Sequence, residues 1–191
     1  MQLPPLGLYI HLPWCERKCP YCDFNSHEAQ DIPEARYVDA LLRDLRADLP
    51  LTQGRAIDTL FIGGGTPSLF SAEAIRQLLQ GVAGLVPLSP SLEATMEANP
   101  GSAEADKFAA FRAAGITRLS LGIQSFDDGR LQALGRIHNS DQARAAIEFA
   151  SAAGFDSFNI DLMHGLPGQD LTAAESDLSS ALAYDPPHLS W

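Results

Sequence analysis

Six short apolar runs, with stretches of helical character between them, constrain the fold of this chain more than any other feature. The runs are LGLYIHL (6–12), IDTLFIG (57–63), LEATMEA (92–98), TRLSLGI (117–123), FNIDLMH (158–164) and the closing HLSW (188–191). Apolar runs this short, bounded by turn residues, read as strands. Over 34–49, Val38, Leu41, Leu42, Leu45 and Leu49 recur at helical spacing. Ser71 and Ser102 stand at N-cap positions with an acid in the following turn, and Gly115 and Gly154 stand where helices end. The segments AAGITRLSLGI and AAGFDSFNIDL echo each other at an offset of 39 residues, each reading as a helix end, a glycine and a buried strand. Strands that alternate with helices predict an α/β fold with a parallel sheet and right-handed crossovers. A regular succession of such units points to a barrel or half-barrel, with a doubly wound open sheet as the alternative.

The sixth run is cut short at Trp191, with no cap or polar tail after it. Residues 1–191 therefore read as one domain from the N-terminal part of a longer protein, with an open sheet edge and unburied apolar surface expected at that end. A chain of 191 residues with 46% apolar and 19% charged residues can bury a substantial core. Its net charge of −11 disfavours binding to nucleic acid. No run approaches the roughly 20 apolar residues that cross a bilayer. MQLPPLGLYIHLPWC has neither a basic start nor a small-residue cleavage site, so a reducing cytoplasm is expected.

All three cysteines fall inside WCERKCPYCDF: Cys15, Cys19 and Cys22, spaced Cys-x3-Cys-x2-Cys. Three thiolates on one loop can converge on a metal centre. Zinc wants four ligands, and His11 or His27 is near enough in sequence to be the fourth. Inert core thiols are a plainer reading, but Glu16, Arg17 and Lys18 between the first two cysteines make poor core. In an iron–sulfur cube, three cysteines leave the fourth iron open to a small ligand.

Ligand sites of parallel α/β folds gather beyond the C-terminal ends of the strands. The cysteine loop follows the first run. The second ends in GGGTP (63–67), the third in EANP with Glu97, the fourth in GIQSF with Gln124, and the fifth carries Asp161. Taken singly, GGGTP is a turn, Glu97 and Asp161 are rim ion-pair partners, Arg136 is a surface arginine and Tyr9 packs beneath a barrel. Five runs delivering polar or glycine-rich groups to one rim point instead to a ligand site. The glycine run does not match G-x-G-x-x-G, so no dinucleotide fingerprint is present.

The cysteine spacing, with an aromatic residue (Tyr21) just before the last cysteine, resembles the radical S-adenosylmethionine (SAM) superfamily. The ordered set YIHLPWCERKCPYCDF, GGGTPS, EANP, GIQSFDDGRLQALGR and NIDLMHGLPGQ, from Tyr9 to Gln169, resembles one branch of it. That branch holds the oxygen-independent coproporphyrinogen III oxidases and the HemW-type heme chaperones. The resemblance implies a partial (β/α)6 radical SAM barrel, reaching here only to the start of the sixth strand, followed elsewhere by a C-terminal domain. It implies a 4Fe-4S cluster on Cys15, Cys19 and Cys22, with SAM chelating the open iron. Cleavage of the sulfonium by an electron from the cluster yields a 5′-deoxyadenosyl radical. Tyr9, Gly64 and Glu97 correspond to residues that bind this SAM. Tyr21, Gly65, Thr66, Gln124, Arg136 and Asp161 correspond to positions that, in the oxidases, contact a second one.

The oxidases carry a glycine and a further cysteine directly after the third cluster cysteine, where this chain has Asp23, Phe24, Asn25 and Ser26. CDFNS resembles the chaperone subgroup, so heme transfer to an acceptor protein is the expected role, with coproporphyrinogen III oxidation as the alternative. A zinc-binding interaction module is the reading of another class. The implied partners are heme or a porphyrinogen, a heme-acceptor protein and a reduced electron donor such as flavodoxin. The subgroup's heme site resembles His-Asn-x-x-Tyr and is expected later than Trp191. His138-Asn139 lacks the tyrosine and reads as the cap of a helix.

Overall fold

The structure, a computed structural model, describes residues 3–101, 104–155 and 157–191. Its strands are β1 (Leu6–Leu12), β2 (Trp14–Cys15), β3 (His27–Glu28), β4 (Ile57–Gly64), β5 (Leu88–Ala98), β6 (Arg118–Gln124), β7 (Ser157–Leu162) and β8 (His188–Ser190). Its helices are α1 (Glu34–Thr52), α2 (Ala72–Leu85), α3 (Glu104–Ala114), α4 (Asp128–Ala133), α5 (Ser140–Ala152) and α6 (Leu171–Leu182). Six strands form one sheet in the order β1-β4-β5-β6-β7-β8, every pair parallel. Strand order thus follows chain order without reversal. A doubly wound sheet reverses its order at a switch point, so that alternative is overturned and the arrangement is that of a barrel wall. The expected strands are all present, although β5 starts four residues earlier than the sequence suggests.

The strands bury alternate residues. Ile10 and Leu12, Leu60 and Ile62, Ala94 and Met96, Leu119, Leu121 and Ile123, and Phe158, Ile160 and Leu162 all join one core. Phe70, Phe108 and Phe111 are fully buried in it, each contributing about 2 kcal/mol from removal of apolar surface from water. The helices supply the other side of this core. A methyl group on Gly81 of α2 would collide with Leu42 of α1, so the two helices pack closely because that position is glycine.

Local signals account for the helix ends. Ser71 Oγ accepts from Ala74 N–H at the start of α2. Asn139 opens α5 with a reciprocal capping box to Gln142, as its sequence suggests. Gly115 and Gly154 have φ of +115° and +78° after α3 and α5, the left-handed stop that glycine adopts without strain. The expected cap at Ser102 lies outside the described residues. Helix α1 runs three residues past its expected end and takes Pro50 into its last turn, closing on Gln53 at φ +54°. Among the described residues, no helix is long and apolar enough to cross a membrane.

Candidate functional site

The residues that alternate with the core positions face the other way and line a cavity of about 460 Å3 at the C-terminal ends of the strands. Phe61, Glu97, Ser120, Gly122, Gln124, Asn159, Asp161 and Ser190 come from the sheet, and Cys15, Cys19 and Cys22 from the loop above it. Ten of the twelve residues singled out in the sequence line this space. Tyr9 and Gly64 do not.

The cysteine loop is held at both ends. β2 and β3 form a two-residue parallel pair, and His27 N–H donates to Pro13 O (2.7 Å) and Ala29 N–H to Cys15 O (3.1 Å). Lys18 pins the middle. Its backbone N–H donates to Glu28 Oε1 (2.8 Å) and its ammonium to the carbonyls of Phe24 and Ser26. Cys15 is buried, Cys19 and Cys22 are half-buried, and all three are free thiols. Among the described residues, no three His, Cys, Asp or Glu side chains gather closely enough to hold one metal ion. The donor set of three free thiols facing an open cavity suits a larger group ligated from one side, as an iron–sulfur cube is.

The glycine run joins this loop to the sheet. Gly65 N–H donates to Leu12 O (2.8 Å) and Thr66 N–H to Trp14 O (2.7 Å). A Cβ on Gly65 would collide with the Trp14 carbonyl, and one on Gly64, at φ +124°, would lie 2.8 Å from the His11 ring. Gly64 N–H donates to Glu97 Oε2 (3.1 Å). Gly64 therefore acts one layer behind the cavity, through Glu97. Burial raises the Glu97 pKa, with Asp161 adding to the rise and the Gly64 bond and His11 opposing it.

Asp161 sits in a polar nest. Its Oδ2 accepts from Ser120 Oγ (2.8 Å) and its Oδ1 from Asn159 Nδ2 (2.6 Å), and Asn159 Nδ2 also donates to Ser190 Oγ (2.9 Å). Burial raises the Asp161 pKa against these bonds and against Arg118. Arg136 spans the cavity mouth. One terminal nitrogen donates to Asn99 Oδ1 and Gly122 O, both at 2.7 Å, and the other lies 3.7 Å from Cys19 Sγ. Asn99 Nδ2 continues to Thr66 Oγ1 (3.1 Å). Tyr21 stands beside Arg136 and Cys19, and burial raises its pKa. Tyr9 is 57% exposed. Its hydroxyl donates to His11 Nδ1 (2.9 Å), because His11 Nε2–H is committed to the Asn25 carbonyl (2.8 Å).

The motifs did not reveal Asn99, Arg118, Ser120, Asn159 or Ser190. Arg118, Ser120 and Asn159 follow from strand alternation once one cavity residue of their strand is known. Ser120 lies two before Gly122 and Asn159 two before Asp161.

The model of the radical SAM superfamily matches residues 9–178. The chain is 54% identical over 192 residues to the heme chaperone HemW of Escherichia coli, covering all of this chain and 51% of that protein. It is 54% identical over 195 residues to the heme chaperone HemW of Haemophilus influenzae, again over all of this chain and 51% of the relative. The chain thus spans about half the length of these curated relatives. Among solved structures, coproporphyrinogen III oxidase (HemN) from Escherichia coli, titled a radical SAM enzyme, superposes with a TM-score of 0.87 at 29% identity. That match covers 98% of this chain and 44% of the oxidase.

Proposed function

The chain belongs to the radical SAM superfamily, a membership that implies a 4Fe-4S cluster and SAM, and we propose that it is the cofactor-binding half of a heme chaperone. The observation that carries the cofactor reading is the set of three free thiols on one clamped loop over a cavity of about 460 Å3. The chaperone reading rests on 54% identity to HemW proteins along the whole chain, against 29% to the oxidase, and on Asp23 and Phe24 after Cys22.

Cys15, Cys19 and Cys22 hold the cluster. When bound, the cluster supplies one electron for cleavage of a sulfonium. The peptide groups of the glycine run and the Glu97 carboxylate take the methionine end of SAM, with Tyr9 behind His11 at the edge of that position. Glu97 and Asp161, acceptors when ionised, suit ammonium and ribose hydroxyl donors. Arg136, Gln124, Thr66, Gly65 and Tyr21 close the mouth and limit water. Heme itself binds in the full-length protein outside this chain, and passes to an acceptor protein. A reduced electron donor, flavodoxin or its equivalent, feeds the cluster, and the cytoplasm is the compartment.

Coproporphyrinogen III oxidation is the second reading, favoured by the 0.87 TM-score with the oxidase. The full-length protein, reconstituted anaerobically with iron and sulfide, is incubated with coproporphyrinogen III, SAM and a reductant, and separately with heme. Retained heme without protoporphyrinogen is the expected result. Protoporphyrinogen formed over many turnovers would overturn the chaperone reading. A colourless protein holding one zinc would overturn the cluster.

A further inference from the structure

Gln124, the last residue of β6, has φ +68°. A residue with a side chain in the left-handed region is strained by about 1–3 kcal/mol, and such strain persists only where the surroundings over-determine it. The pairing of β6 with β7 is irregular between Leu121 and Gln124. Beyond the irregularity the Gln124 carbonyl accepts from Met163 N–H (2.9 Å), and Ser125 N–H closes onto the Ile123 carbonyl (2.9 Å) in a tight turn centred on Gln124.

Three side chains from outside β6 reinforce this turn. Arg136 donates to the Gly122 carbonyl at 2.7 Å. His138, 4% exposed, has Nε2 3.1 Å from the Ile123 carbonyl. A carbonyl only accepts, so Nε2 carries the hydrogen, and Nδ1 is left buried with no partner. Asp177 on α6, also 4% exposed, takes the next two residues. Its Oδ2 accepts from Ser125 Oγ and its Oδ1 from Phe126 N–H, both at 2.7 Å. The grips fall on residues 122, 123, 125 and 126, on both sides of Gln124. Neither His138 nor Asp177 lines the cavity. A carboxylate buried away from any cation is costly unless its oxygens are bonded; Oδ2 also accepts from Gln169 Nε2 at 3.3 Å, and the two shortest bonds of Asp177 go to this turn.

The clamp has a target. A Cβ on Gly122 would lie 3.1 Å from Asn99 Oδ1, 3.2 Å from Gln124 Nε2 and 3.3 Å from Arg136. The Gln124 carboxamide is therefore delivered to the same few ångströms as Arg136 and Asn99, at the cavity mouth.

We propose that Asp177 and His138 are positioning residues that hold the end of β6 in the strained shape that turns Gln124 into the cavity, and so set ligand affinity from outside it. This rests on the reading that the cavity takes SAM.

The test uses the full-length protein with its cluster, calorimetric titration with SAM without reductant, and the variants Asp177→Asn, Gln124→Ala and their double. Asp177→Asn and Gln124→Ala each weaken SAM by about tenfold, and the double is no weaker than Gln124→Ala alone, the signature of one residue acting through the other. A merely structural Asp177 gives affinity losses that multiply, and that result, or full affinity in Asp177→Asn, overturns the proposal. Amide exchange of segment 122–127 gives a readout independent of ligand. It is expected to speed at least tenfold in Asp177→Asn with the rest of the sheet unchanged, and unchanged exchange overturns the clamp. A wild-type protein that binds no SAM defeats the cofactor reading instead, and exchange then decides the clamp by itself.

Discussion

Arg136 lies 3.7 Å from Cys19 Sγ, although 117 residues separate them in the chain. Its other terminal nitrogen is anchored on Asn99 and Gly122, so the guanidinium stands at the sulfur in a fixed pose. Positive charge and hydrogen bonds at a cluster thiolate favour the reduced state. In the reconstituted full-length protein, Arg136→Ala is expected to lower the cluster potential by roughly some tens of millivolts, the scale of losing one charged hydrogen-bond donor beside a cluster sulfur. Arg136→Lys recovers only part, since an ammonium cannot serve all three partners. A redox titration followed by electron paramagnetic resonance reads this, and an unmoved potential in both variants would show that Arg136 does not address the cluster.

The glycine run offers a paired test. Gly65→Ala drives a methyl group into the Trp14 carbonyl, between two backbone bonds that tie the cysteine loop to the sheet. It is expected to cost about 2–4 kcal/mol and to lower iron uptake. Gly84→Ala, on α2 where a methyl group meets nothing within 4 Å, is expected to stabilise by about 0.5–1 kcal/mol. Urea denaturation of both settles it. Equal effects would mean that the close approach at Gly65 carries no weight.

The raised pKa of Glu97 sets a sign. Burial disfavours its charged form, so the folded state prefers the protonated acid. Its stabilising contribution is full below the ordinary carboxylate range and is lost as pH rises through the folded value. Glu97→Gln keeps the acceptor for Gly64 and carries no charge. The cofactor-free variant is expected to exceed the wild type in stability at pH 7 and to match it below pH 4, while losing SAM. Denaturation at the two pH values checks the sign, and a variant less stable at pH 7 would refute it.

His138 gives the opposite slope. Burial, with help from the Arg136 charge, pushes its pKa down to about 4. A depressed histidine stabilises the fold above its ordinary value near 6.5 and loses that contribution as pH falls toward 4, about 3 kcal/mol in all. His138→Gln keeps a donor for the Ile123 carbonyl and cannot titrate in this range. The difference in unfolding free energy between the two proteins is therefore expected to change across pH 4–6.5. A constant difference would place the histidine pKa near its ordinary value.

Much of the fold was legible because its signals are local. The six apolar runs, the cap at Ser71 and the stops at Gly115 and Gly154 each act within a few residues. The cysteines and the polar strand ends were legible for the same reason. The pair β2 and β3 was not, since two residues make no period. The early start of β5 was hidden by Pro90, which reads as a boundary. Asp177 shows a deeper limit. In the sequence it is one polar residue of an amphipathic helix, and only the tertiary fold brings it to Ser125 and Phe126. Asn99 and Ser190 were missed likewise, because their partners lie 33 and 31 residues away.

The alternation along the strands has a consequence for how such a chain can diverge. In β6, Leu119, Leu121 and Ile123 join the core while Arg118, Ser120, Gly122 and Gln124 line the cavity. Odd and even positions therefore answer to different selective demands, one for folding and one for ligand. Substitution at the even positions can retune chemistry while the helix-facing layer stays intact. A single-residue insertion within the strand cannot, because it exchanges the two sets at once. Descendants of this architecture are free to drift by replacement inside the sheet, and have to confine changes of length to the loops.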